Sequence, residues 1–197
     1  MACLLLVGAR TFEHWPECFP SLQEKYMAAY MSITNSKGNV ITQGANTQDS
    51  IGTGFQSTFK DQVLLRDYSH QVQTPSHPHS GQPTGRPIHE AFCVTAVVDR
   101  TTPLLMEAAN KQEVMPKVEF NMYRVNAEGV QECYFTVLLE DAVVSKINQY
   151  MEKNNDLTSP HSTDLVDVAF SYRKIVWDHH VATTTGSHDH REPAVAG

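Results

Sequence analysis

The 197 residues hold no long apolar run and no cluster of basic side chains. Lys and Arg number 15 against 22 Asp and Glu, a formal charge of −7 with histidines neutral. Nucleic-acid surfaces need clustered cations, so that class of partner is not expected. Cys3 to Ala9 is the one apolar stretch of signal-peptide size; it is far too short to cross a bilayer and no Lys or Arg precedes it. Membrane insertion is therefore not expected either. Cysteine is scarce: Cys3, Cys18, Cys93 and Cys133 form no CxxC and no zinc-type spacing, and they fit thiols of a reducing cytosol. Cys133 sits in CYFTVLL, where alternation with Phe135, Val137 and Leu139 predicts a buried position on one strand face. Enzyme signatures are missing too: there is no GxSxG, no phosphate-cradling GxxxxGK[ST] and no HExxH. Carboxylates such as Glu140 and Asp141 fall at turns or strand ends, where solvated charge explains them. Nothing calls for a cofactor.

What is present suits one domain. An apolar fraction of 41 % is ample for a core at this length. A composition break at Met27 separates residues 1–26, read as an over-long gene start, a flexible extension or a secretion signal, from a domain over 27–193 and a short tail over 194–197.

Within that domain the period is two. Tyr30–Thr34 and Asn39–Thr42 flank SKGN and suggest a hairpin. Gln62–Thr74 predicts a long strand with Leu64, Tyr68 and Val72 on one side. Ile88–Asp99 alternates through Phe92, Val94, Ala96 and Val98, and Val118–Val125 through Val118, Phe120 and Met122. NAEG then turns the chain into Val130–Leu139. Asp164–His179 predicts a further long strand with a phase change: Val166, Val168, Phe170 and Tyr172 share one parity, Ile175 and Trp177 the other. A bulge near Arg173 or Lys174 would bring both sets to the core. TTPLLMEAANKQEVMP predicts one helix with Thr102 as N-cap, Pro103 in the first turn, Pro116 as a stop, and a stripe of Leu104, Leu105, Ala108 and Ala109. The fold class is mainly β: a compact antiparallel β-barrel or sandwich with one flanking α-helix.

His70 to His89, HQVQTPSHPHSGQPTGRPIH, concentrates histidine, proline and glycine. His77 and His79 form an HxH, as do His188 and His190. Imidazole is the commonest metal ligand, so these four could serve a metal-dependent enzyme or binding module on a jelly-roll-like barrel. Both pairs, however, sit in segments that read as Pro/Gly/Ser/Thr-rich loops, with no Cys or carboxylate to complete a set. Four prolines stiffen the stretch and Gly81 and Gly85 permit tight turns, which suits an arm that docks with little loss of entropy.

SGQPTGRPIHEAF, PLLMEA, MYRV with EGVQECYF, and FSYRKIVWDHHVATTTGSHDHREP follow one another in an order that resembles the Hcp family, the haemolysin-coregulated proteins of type VI secretion systems. The resemblance spans Met27 to about Pro193. It implies a barrel with a flanking helix and a long projecting loop, no catalysis, and hexameric rings that stack into a phage-tail-like inner tube carrying small effectors. It also implies contact with spike, sheath and baseplate components, and release from the bacterial cytoplasm without a cleaved signal peptide. By resemblance, the loop that meets neighbouring subunits or rings includes Thr74, Pro75, Ser80, Gly81, Gln82, Pro83, Gly85 and Arg86. One departure lies at His190–Arg191, where the family often has an aromatic before the Arg. The 26 residues before Met27 also fall outside the pattern.

Overall fold

The computed structural model describes residues 28–151 and 164–192. The segments 1–26 and 194–197 distinguished above lie outside the described residues. Ten strands and one sizeable helix follow in order: β1 (Ala28–Thr34), the single turn α1 (Gln48–Ile51), β2 (Val63–Ser69), β3 (Val72–Gln73), β4 (Ile88–His89), β5 (Phe92–Val97), α2 (Thr102–Lys111), β6 (Met115–Val125), β7 (Gln131–Met151), β8 (Asp164–Ser171), β9 (Lys174–His179) and β10 (Thr184–Asp189). Eight of them form an antiparallel sheet in the order β10-β9-β7-β6-β1-β2-β5-β8, in which β8 also pairs with β7. The sheet thus curls back on itself as a barrel.

Strand β7 makes that curl. It runs for 21 residues, well past the Leu139 that alternation suggested. Its first half pairs with β6 and β9, and its second half, from Val143, pairs with β8. The change of partner falls at Asp141, which takes φ 50, and a register shift follows between Val144 and Lys146. Aspartate tolerates this left-handed conformation better than a β-branched residue would.

The core follows the period of two. Phe92, Val94 and Ala96 from β5, Val118, Phe120 and Met122 from β6, Val137 and Leu139 from β7, and Val166, Val168 and Phe170 from β8 are all buried in one cluster. Phe120 lies at its centre, 4.4 Å from the Phe92 ring and 6.1 Å from that of Phe170. Burying each such side chain stabilises the fold by roughly 1.5–3 kcal/mol. Central strand β1 is covered on both faces: Met31 and Ile33 enter the core, while Tyr30 stacks 4.1 Å from Phe59 beneath the segment before β2 and donates to Gln56 Oε1 at 2.6 Å.

Several expectations change. The hairpin after β1 reduces to one bridge, Thr34 with Val40, because β1 spends its edges on β2 and β6. In β2 the buried parity is Val63 and Leu65; a bulge after Leu65 brings Tyr68 to that same face, opposite Val94 and stacked on Phe92, yet it stays exposed at the sheet's end, and Val72 lies beyond the strand, also exposed. A second bulge pairs Met122 with Phe135 but Tyr123 with Cys133. Cys133 therefore sits half-buried on the opposite face from Phe135, beside Thr136, and not in the core. Helix α2 begins one residue earlier, with Thr101 at the N-cap, and Asp99 supplies the cap: its Oδ1 accepts the N–H groups of Thr101 (2.8 Å) and Thr102 (3.2 Å). Gln112 ends the helix in the left-handed region, and Pro116 stands near the start of β6 where a missing N–H is tolerated. Leu105 and Ala108 are buried, but Leu104 faces solvent. The parity change near Arg173 is real. It is a break between β8 and β9 at Tyr172 and Arg173, not a bulge within one strand, and it matches the change of partner in β7. Ile175 is fully buried and Trp177 packs on the core edge.

Candidate functional site: a projecting arm and its histidine root

Residues 71–90 leave the barrel as a two-stranded ribbon. At its base Val72 pairs with His89 and Gln73 with Ile88, and the Glu90 N–H donates to the Gln71 carbonyl at 3.0 Å. Farther out, Thr84 N–H donates to Pro75 O (2.8 Å), His77 N–H to Gln82 O (2.8 Å), and Gly81 N–H closes the tip on His77 O (2.9 Å). Gly81 has φ 68, which glycine alone adopts without strain, whereas Gly85 has no such requirement. From Gln71 to Ile88 every residue is exposed except Pro75, which is half-buried. All eight residues of the implied contact loop, Thr74, Pro75, Ser80, Gly81, Gln82, Pro83, Gly85 and Arg86, lie in this ribbon. Its exposed apolar side chains, Val72 and Ile88, sit near the base.

The two HxH pairs part company. His77 and His79 stand at the tip, 5.9 Å apart by ring centroids, with the His79 N–H donating to His77 Nδ1 at 3.3 Å. His188, expected in a loop, is the fifth residue of β10, and His190 follows the strand directly. That hairpin is built by β9: Ile175 pairs with His188 and Lys174 with Asp189. Among the described residues, no group of three or more His, Cys, Asp or Glu is arranged to hold a metal ion.

What His188 and His190 do meet is the base of the arm. His188 stacks on His89 at 4.2 Å with the planes 11° apart, and His190 lies edge-on to both at 5.3 and 5.0 Å. His190 also packs 5.6 Å from Tyr172. His70, just before the arm, completes the group, 5.5 Å from Phe92 and 6.0 Å from Trp177. The Tyr172 hydroxyl lies 2.7 Å from His70 Nε2 and 3.2 Å from His89 Nδ1; having one proton, it donates to one ring and accepts from the other. Burial pushes the Tyr172 hydroxyl up to about 12 and the His70 imidazole below its usual value, the latter opposed by nearby Glu90. His89 is held down to about 4, chiefly by burial and then by the imidazoles of His188, His190 and His70. Alternation could not find this cluster, since its members lie on three separate segments. The only hint was that His70 and His89 bracket the prolines.

Arg173 fixes β10 against the barrel. In the break between β8 and β9, its guanidinium donates to Asp141 Oδ2 at 2.7 Å, to Glu140 Oε2 at 3.1 Å and to Asp189. Its backbone joins in, with the His190 N–H donating to the Arg173 carbonyl at 3.0 Å.

A family model described as "Type VI secretion system effector, Hcp" matches residues 30–179. The chain belongs to the Hcp family. It is 47 % identical over 169 residues to the "Major exported protein" of Pseudomonas aeruginosa, covering 86 % of this chain and 98 % of that one. Among solved structures, "Crystal structure of Hcp protein" superposes with a TM-score of 0.80 at 36 % identity, covering 85 % of this chain and all of that one. "Secreted protein Hcp3 from Pseudomonas aeruginosa" gives 0.70 at 40 % identity, with 85 % of this chain covered. This Hcp chain is thus a β-rich component of type VI secretion and one of a family of exported proteins.

Proposed function

We propose that this Hcp chain is a structural subunit whose copies form hexameric rings that stack into the inner tube of a type VI apparatus, with small effectors carried in the lumen. On this reading it meets spike, sheath and baseplate components during assembly. It starts in the bacterial cytoplasm and leaves with the tube, without a cleaved signal peptide. The observation that carries the reading is the arm: a hydrogen-bonded ribbon stiffened by Pro75, Pro78, Pro83 and Pro87, exposed along its length and directed away from the barrel that bears it. A ring of identical subunits requires head-to-tail contacts, and a projecting element on one surface that fits a different surface of the next copy supplies that asymmetry. The metal-dependent alternative loses support, because its four histidines divide between the tip and the base.

Sedimentation and negative-stain microscopy test the proposal. The parent should give annular particles of six copies and, when concentrated, tubes. Replacing SHPHSGQPTGR by a short glycine-containing turn should leave the barrel folded, since its core lies in other strands, yet weaken assembly. Each copy repeats the lost contact, and about 1.4 kcal/mol per contact is tenfold in its equilibrium constant. Full rings and tubes from the shortened arm would show that the arm is not the contact. A parent that stays monomeric at high concentration would remove the ring reading itself.

A further inference from the structure

The base of the arm gathers four imidazoles from three segments: His70 before β3, His89 at the end of β4, and His188 and His190 at the end of β10. This is where the arm meets the barrel, because beyond it only Pro75 is even partly covered. The groups around the cluster hold almost no negative charge. Strand β8 and its break contribute the Tyr172 hydroxyl, β9 the Trp177 ring and β5 the Phe92 ring. Asp189, between the two β10 histidines, is committed to Arg173 and to the Arg191 N–H at 2.9 Å. Glu90 alone acts on the cluster as a carboxylate, and it acts on His70. A neutral imidazole stack is self-consistent in such surroundings. A charged one is not: once two of these rings take protons, like charges stand about 4–6 Å apart with Glu90 alone, near His70, to oppose them.

We propose that this histidine cluster is a pH-operated latch, which seats the arm on the barrel while His70 and His89 are neutral and frees it when they are protonated in acid. The latch works on the single chain and does not depend on ring assembly. The sign follows from the depressed basicity of His70 and His89. Both bind protons less readily in the seated arm than in a freed one, so acid favours the freed state, and the seated arm is lost as pH falls from the usual histidine range near 6.5 toward about 4. Three contacts would be given up together: the His89–His188 stack, the Tyr172 bridge between His70 and His89, and the edge-on packing of His190. The Val72–His89 ladder at the base would loosen with them.

Amide hydrogen exchange on the full chain, corrected for intrinsic rates and followed from pH 7.5 to 4.5, reads the latch directly. Protection of the Glu90 N–H and of the arm base should fall at least tenfold across that range, while β1 and β6 keep theirs. The double variant His89→Phe with His188→Phe keeps two stacked rings that cannot take a proton, and its arm should stay protected at pH 4.5. Equal arm protection at both ends of the range would overturn the proposal, as would loss of arm and barrel together or opening of the double variant like the parent. If the double variant does not fold, the parent's titration decides alone: a sigmoidal rise in arm exchange over a flat barrel supports the latch, and a flat arm refutes it.

Discussion

Two residues show how burial sets behaviour one side chain at a time. Asp99 caps α2 from a site almost closed to solvent, and burial holds its carboxyl up at about 6 in spite of the bonds from Thr101 and Thr102 that pull it down. The native state therefore binds this proton more tightly than the unfolded chain, whose aspartates titrate near 3.8, so the contribution of Asp99 to stability falls as pH rises from about 4 to about 6. Asp99→Asn keeps an oxygen for the cap without the charge. Relative to the parent it should gain about 2 kcal/mol between pH 4 and pH 7 in urea melts, and a constant difference would show that the carboxyl is not desolvated as described. Trp177 illustrates partial burial. The parity of the sequence placed it correctly on the core side, but its ring closes the edge of the core against His70 and His89. Trp177→Ala should cost about 2 kcal/mol by chemical denaturation, against about 4 kcal/mol for the fully buried Phe120→Ala.

Among the elements, β5, β6 from Val118 to Met122 and most of β8 were legible because each holds one apolar parity along that stretch. Legibility stopped wherever the pleat slips. Nothing in EDAVVS marks Asp141 as the point where β7 changes partner, and nothing in QECYF announces that Tyr134 is the extra residue separating Cys133 from Phe135. These shifts come from barrel curvature, a property of the whole sheet that no short window contains. Strand β10 was missed for another reason. TTGSHD is polar and exposed at four of six positions, and pairing with β9 together with the grip of Arg173 holds it in place. Arg173→Met should therefore remove exchange protection from β10 and lower the melting midpoint. Arg124→Met, which breaks a half-exposed pair with Glu132 and a stacking contact over the Tyr134 ring, should lower it less. Equal shifts in the two variants would mean that the three-carboxylate clasp adds nothing beyond a surface ion pair.

For the whole molecule, the match to the Hcp family starts at residue 30, and we propose that the domain begins at the composition break at Met27. A chain starting at Met27 should melt at the same temperature as the full one and sediment as the same assembly. A change in sedimentation on removing residues 1–26 would give that segment a role that its sequence does not suggest. The arm was legible as a stiff projecting segment from its prolines, and the histidine root was not, because it exists only after β10 has folded against the start of the arm.

Strand β1 has its neighbours far along the chain: Ala28 pairs with Tyr123, and Ala29 with both Leu65 and Met122. At translation rates of about 5–20 residues per second, β1 leaves the ribosome on the order of 5–20 s before β6 exists to cover its second edge. During that interval Met31 and Ile33, fully buried in the finished barrel, have no complete sheet to enter. Non-local pairing of this kind also slows folding, toward the millisecond-to-second range of β-rich topologies. The nascent chain thus passes through a period with an open, apolar edge.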